Sequence, residues 1–228
     1  MEIGGVMDNY VALFFRSLPL LLKGMLMTIQ VLALASVLSF IWGLLFGILS
    51  CQRLRIPVVT PIIEGITFVF RAVPFYVQLM IVYFVLPDLL GFNFNPFPAS
   101  VLALGICSSG YIAQIVRAGM NAIPLSQWEA AFTLGYNKLQ SLRSIILPQM
   151  VRHVLPAFNN ELDSLLKSTA IVSSIGLLEL TRVGMNLVSR EMEPVPIYLM
   201  IALFYLGLSA ILNIIARTLE KRMIYVKK

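Results

Sequence analysis

With 228 residues, 59% of them hydrophobic and 12% charged, and a mean hydropathy of +0.88, the chain is too apolar to be a water-facing globule. Soluble domains run near half apolar and a quarter charged. The net charge of +6 would fit a nucleic-acid binder, but in so apolar a chain the basic residues are first read as topology signals.

The composition predicts a single all-α integral membrane domain over 1–228, with room for about five or six spans of ~20 residues. The first apolar stretch, about 22–50, starts too late and runs too long for a removable signal peptide. The second is about 58–86 and the third about 97–116. The fourth, about 151–178, is broken by polar residues, and the last is about 197–216. Each is long enough to cross ~30 Å of hydrocarbon at ~1.5 Å per residue. Cys51 ends the first stretch and Cys107 lies within the third. Neither has CxxC or Cys/His spacing, and His153 stands alone, so buried thiols are expected rather than a metal site or disulfide.

Orientation follows from Lys and Arg. Segment 51–57, segment 117–152 and the tail from Arg217 to Lys228 together carry 11 of the 17 basic residues, all on one side of the predicted spans. The positive-inside rule places that side in the cytoplasm, the C-terminus with it, and the N-terminus outside. Five spans satisfy this, and the same asymmetry accounts for the basic charge.

The segment of about 121–148, between the third and fourth spans, is predicted as a cytoplasmic helix-turn-helix loop. Ser126 is read as an N-cap with Glu129 three residues on, as in a capping box. Gly135 is a natural stop. A second amphipathic turn runs from Lys138 to Ile146 and ends at Pro148. Trp128, Phe132 and Tyr136, spaced four apart, are expected to share a face. The alternative for this loop is an amphipathic helix resting on lipid headgroups.

Glu129, Ala130, Ala131, Gly135, Ile145, Leu147 and Pro148 stand at the spacing Glu-Ala-Ala, three residues, Gly, nine residues, Ile, one residue, Leu-Pro. Seven such positions coincide by chance at about 10⁻⁸ per start site, taking roughly five to ten per cent usage each. This pattern resembles the EAA motif of membrane subunits of bacterial ABC importers. Phe70-Arg71-Ala72-Val73-Pro74, running on to Gln78-Leu79, is similar to a stretch of permeases for polar amino acids. So are Leu22-Lys23-Gly24 leading to Thr28, and Asn160-Glu161 followed by Leu166-Lys167-Ser168-Thr169-Ala170. Ala72-Val73, Asp163 and Ser168 depart from the usual pattern. The likeness covers about residues 20–220.

The resemblance implies a five-helix, type I ABC importer permease fold in the bacterial inner membrane. It implies that the seven motif residues dock a cytoplasmic ABC ATPase dimer, which holds ATP-Mg while this chain binds no cofactor and has no catalytic residue. It further implies a second permease subunit, identical or similar, an extracytoplasmic solute-binding protein, and alternating access for a polar amino acid.

Read from the residues alone, Arg71 lies about halfway along the second span, and Glu161 and Asp163 about 10–12 residues into the fourth. Charges near the midplane cost about 2.5–3.5 kcal/mol or more and belong beside a cavity or a partner. Arg71 suits an amino acid's carboxylate and Glu161 its amine, with Asp163 available to a cationic side chain. Gln78, Lys167, Ser168 and Thr169 complete the candidate pathway, and Pro156 is expected to loosen the fourth helix. Glu161, Asp163 and the Lys-Ser-Thr-Ala variant point to cationic amino acids. Two structural alternatives stand beside this reading: Arg71 networks with Glu64 seven residues away, and Asp163 pairs with Lys167 four away. An ion-gradient-driven carrier or channel is the alternative function.

Overall fold

A computed structural model describes residues 2–225, and side chains for 9–222. Lys227 and Lys228, counted above in the basic tail, lie outside the described residues. Those residues are nearly all helical, with no strand among them.

The first helix, α1, covers Glu2–Leu49, 48 residues. At ~1.5 Å per residue it is about 72 Å long, more than twice the hydrocarbon thickness. The apolar stretch of about 22–50 corresponds to its second half. Its first half continues the same helix because Leu13 and Leu21 are buried against Leu180, Leu187 and Ile197 of the last two helices. Arg16 ties that end to Glu191 at 2.9 Å.

The second stretch is not a straight helix. It comprises α2 (Val59–Ala72), then α3 (Phe75–Met80), a π-helical turn (Ile81–Val85) and α4 (Leu86–Leu90). The two parts meet at 102°. Pro74 makes this bend. It forces Val73 into extended backbone and has no N–H for the Phe70 carbonyl four residues back.

The third helix of the bundle, α5, runs Pro96–Ala122, capped by the Asn95 side chain. It is the central element, buried among α1, α2 and the fourth stretch. Gly43 and Gly47, four apart on α1, bring the two backbones together. A Cβ at Gly43 would stand 2.5 Å from the Ile112 side chain, and one at Gly47 would stand 2.8 Å from the Ala113 carbonyl oxygen. Small residues at this spacing are how membrane helices gain close packing without a hydrophobic driving force. Gly47→Leu is therefore expected to cost about 1–3 kcal/mol through overpacking. A thermal-shift measurement in detergent checks it: an unchanged melting temperature would show that α1 and α5 do not meet here.

The segment of 121–148 does not close as a separate hairpin. It holds α6 (Leu125–Thr133) and α7 (Lys138–Ser141), after which the chain passes through a π-helical turn (Leu142–Ile146) straight into α8 (Leu147–Ser168). Pro148 was expected to end this helix. Instead the wider turn, in which the Leu147 N–H reaches the Leu142 carbonyl, absorbs the proline. Pro156 does not break α8 either. The fourth stretch bends later, by 51°, between a 3-10 helix (Thr169–Ile175) and α9 (Leu180–Glu191). The last helix, α10, spans Pro194–Tyr225 with Leu203, Leu206 and Ile214 exposed along it. Among the described residues, three helices are long and apolar enough to cross a membrane, and up to five if each bent pair counts as one.

Candidate functional site

Two regions carry the chemistry. The first is the surface built by α6 and α7. Pro124, not Ser126, stands at the N-cap of α6 and makes no side-chain bond. Ser126 lies inside the helix, so the Ser126–Glu129 capping box does not form. Extended backbone at Pro124 starts the helix one residue before the expected cap. The capping box is one helix later, where Asn137 and Gln140 bond each other's backbone N–H at 2.9 Å.

Gly135 ends α6 with φ +83°, a conformation that costs a residue with a Cβ about 1–2 kcal/mol. Its N–H reaches the Phe132 carbonyl at 2.9 Å and that of Tyr136 reaches Ala131 at 3.0 Å, the paired bonds of a Schellman stop. Trp128 and Phe132 neighbour each other as expected, their rings 6.4 Å apart, but Tyr136 does not join them. Trp128 is 2% exposed within the core, Phe132 is 45% exposed, and Tyr136 lies beyond the stop.

Trp128 and Ala131 seat the helix on the bundle, with Ile146 and Met150 in the same apolar cluster as Trp128. Arg53 from segment 51–57 donates to the Ile123 carbonyl and lies over the Trp128 ring at 5.9 Å. The two basic segments thus meet at one end of the bundle. Of the seven motif residues, Glu129, Ala130, Gly135 and Pro148 are exposed, Ile145 and Leu147 are half-buried, and Ala131 is buried. Leu125, Leu134 and Leu139 add an exposed apolar surface beside them. Large apolar patches of this kind mark interaction sites.

The second region is a cavity of about 300 Å³ at the bend between α2 and α3, closed by α5 and α8. Arg71, in the last turn of α2, lines it, as do Glu161 and Ser168 of α8. Arg71 donates from Nε to the Thr67 carbonyl at 3.2 Å, and among the described residues its guanidinium pairs with no carboxylate. Glu64 pairs with Arg117 of α5 at 2.8 Å, not with Arg71. Glu161 is held by Ser108 of α5, whose hydroxyl donates to Oε1 at 2.6 Å.

The other four pathway candidates do not line this cavity. Gln78 donates its amide to the Phe70 and Val73 carbonyls, both at 2.8 Å, replacing the donor that Pro74 lacks. It holds the bend that opens the cavity. Asp163 turns toward α10. It pairs with Lys167 at 2.7 Å and accepts a bond from the Ser209 hydroxyl. Lys167 is largely exposed, and Thr169 is buried with its hydroxyl on the Leu166 carbonyl at 2.6 Å. The cavity also uses Ser108 and Tyr111, which the sequence reading passed over, and Cys107, expected as a buried thiol but only half-buried here. Their signal was the small, polar run Cys107 to Tyr111 within an otherwise apolar stretch.

Known proteins resemble the chain over most of its length. Residues 41–225 match the family described as binding-protein-dependent transport system inner membrane component. The arginine transport system permease protein ArtQ of Bacillus subtilis (strain 168) is 34% identical over 206 residues, 90% of this chain and 93% of that one. The glutamine transport system permease protein GlnP of Escherichia coli (strain K12) is 33% identical over 212 residues, 91% and 94% of the two chains. A crystal structure of an amino acid ABC transporter with histidines superposes with a TM-score of 0.83 at 32% identity, covering 92% of this chain and 96% of that one. The MetNI methionine ABC transporter, at 18% identity and a TM-score of 0.80, shares the fold. These relatives are transport permeases, so this chain is a transport subunit and not an enzyme. With the helical bundle, the seven-residue motif and the family match over most of its length, the chain belongs to the binding-protein-dependent transport system membrane components and is a permease subunit of an amino acid ABC importer.

Proposed function

We propose that this subunit imports a polar amino acid by alternating access, coupled through the α6–α7 surface to a cytoplasmic ABC ATPase dimer. The observation that carries the reading is that surface: a complete motif whose Glu129 and Ala130 face outward while Trp128 fixes the same helix to the bundle. A short helix held this way transmits rigid-body motion. ATP-Mg belongs to the ATPase subunits. A second permease subunit, identical or similar, and an extracytoplasmic solute-binding protein complete the importer. The chain sits in the bacterial inner membrane with its N-terminus outside, which puts α6, segment 51–57 and the tail in the cytoplasm. The amino acid passes through the cavity at the α2–α3 bend, its carboxylate on Arg71 and its ammonium on Glu161.

Reconstitution in liposomes with the cognate ATPase and binding protein tests this. ATP-dependent amino acid uptake is expected, with none under a proton or sodium gradient when ATP is withheld. Gradient-driven uptake by the permease without ATPase would overturn the reading.

A further inference from the structure

The charged groups lining the cavity are Arg71 and Glu161, one of each sign. The rest of its polar lining is uncharged: the hydroxyls of Ser108, Tyr111, Ser164 and Ser168 and the thiol of Cys107. An amino acid with an uncharged side chain also carries one charge of each sign. Its carboxylate and ammonium cancel the two side chains pairwise, and no charge is left over.

A side-chain cation adds a charge with nothing opposite it. The nearby carboxylates are already committed. Asp163 holds Lys167 at 2.7 Å and accepts from Ser209, and Glu64 holds Arg117 at 2.8 Å. A charge inside a membrane bundle is costly when no opposite charge faces it, and neutral hydroxyls compensate it only in part. The hydroxyls of Ser108, Ser168 and Tyr111, whose hydrogens go to Glu161 and to the Ser164 and Arg71 carbonyls, still offer lone pairs to an amide or an alcohol, and Ser164 offers a donor as well.

We infer that this cavity selects zwitterionic amino acids with uncharged polar side chains over arginine and lysine. The inference rests on the cavity being the substrate site. It departs from the cationic preference expected from sequence because Asp163, on which that expectation leaned, is turned away.

Cys107 supplies the readout, since it lines the cavity while Cys51 is fully buried and serves as an internal reference. The assembled permease–ATPase complex in lipid nanodiscs is alkylated with iodoacetamide, and labelling is read by mass spectrometry of the Cys107 peptide. L-glutamine or L-serine is expected to protect Cys107 at concentrations at least tenfold below those of L-arginine and L-lysine. Ser168→Asp, which adds a carboxylate to the wall, is expected to narrow or reverse that ratio. Arginine or lysine protecting within tenfold of the neutral amino acids, or a Ser168→Asp protein with an unchanged ratio, overturns the selectivity and leaves the site assignment standing. Protection by no amino acid overturns the site assignment and the selectivity together.

Discussion

Glu161→Gln and Arg71→Gln are each expected to raise the half-saturating amino acid concentration for uptake by roughly 30- to 150-fold. Removing one partner of a partly desolvated charge pair costs about 2–5 kcal/mol, and the cavity is open enough that about 2–3 kcal/mol applies. Glutamine keeps the length of Glu161 and can still accept from the Ser108 hydroxyl, so the loss reports charge rather than shape. Ser108→Ala should act in the same direction but more weakly. It removes one hydrogen bond to a carboxylate, about 1.5 kcal/mol or roughly tenfold. Asp163→Asn is the contrast. Its partners are Lys167, exposed, and Ser209 on α10, so it should shift the half-saturating concentration by less than about twofold. Uptake kinetics of the four variants in proteoliposomes decide the matter. A Glu161→Gln protein with normal kinetics, or an Asp163→Asn protein as impaired as Glu161→Gln should be, removes the assignment of the cavity.

The difference between Glu161 and Asp163 shows what was legible beforehand. Hydropathy located the membrane helices and spacing located the motif, because both are properties of a single element. Two residues on one helix also announce their depth. They do not announce their direction relative to neighbouring helices, and Asp163, two positions along α8 from Glu161, points to α10 instead of α5. Gln78 was misplaced for a related reason. Its partners are carbonyls freed by Pro74, and that vacancy is visible only once the bend is known. Pro148 and Pro156 raised the converse problem. A proline predicts a break, but a π-helical turn at Leu142–Ile146 and packing of Val154 and Phe158 in the core keep α8 continuous. The first half of α1 was lost because Arg16, Pro19 and Lys23 interrupt its apolar run, whereas the tertiary contacts of Leu13 and Leu21 hold it as one helix. Ser126 fits a capping pattern that recurs by chance in short stretches. Asn137 and Gln140, which satisfy a similar pattern, were passed over beside it.

Two substitutions in α6–α7 should separate docking from folding. Glu129 is exposed, and its recorded bond is through its backbone carbonyl, which accepts from Thr133 at 2.9 Å. Glu129→Arg therefore removes no side-chain partner among the described residues, and its melting temperature should stay within a degree or two. Its effect is expected at the partner surface: ATPase co-purification and substrate-stimulated ATP hydrolysis should each fall by more than about tenfold, the scale of one reversed charge in an interface. Gly135→Pro attacks the same surface through the backbone. Proline fixes φ near −65°, whereas Gly135 sits at +83°, and it deletes the N–H that reaches Phe132. The stop is lost and about 3 kcal/mol or more with it, so α6 can no longer hold its angle to α7. Gly135→Ala, which keeps the N–H, should cost only about 1–2 kcal/mol and leave most of the coupling intact. Trp128→Ala is expected to lower the melting temperature, because that ring is the seat of α6 on the bundle. Normal ATPase binding by Glu129→Arg would sink the docking role of this surface. Loss in Glu129→Arg at unchanged stability would tie the ATPase to the outward face of α6, and the steeper loss in Gly135→Pro than in Gly135→Ala would tie coupling to the angle of that helix.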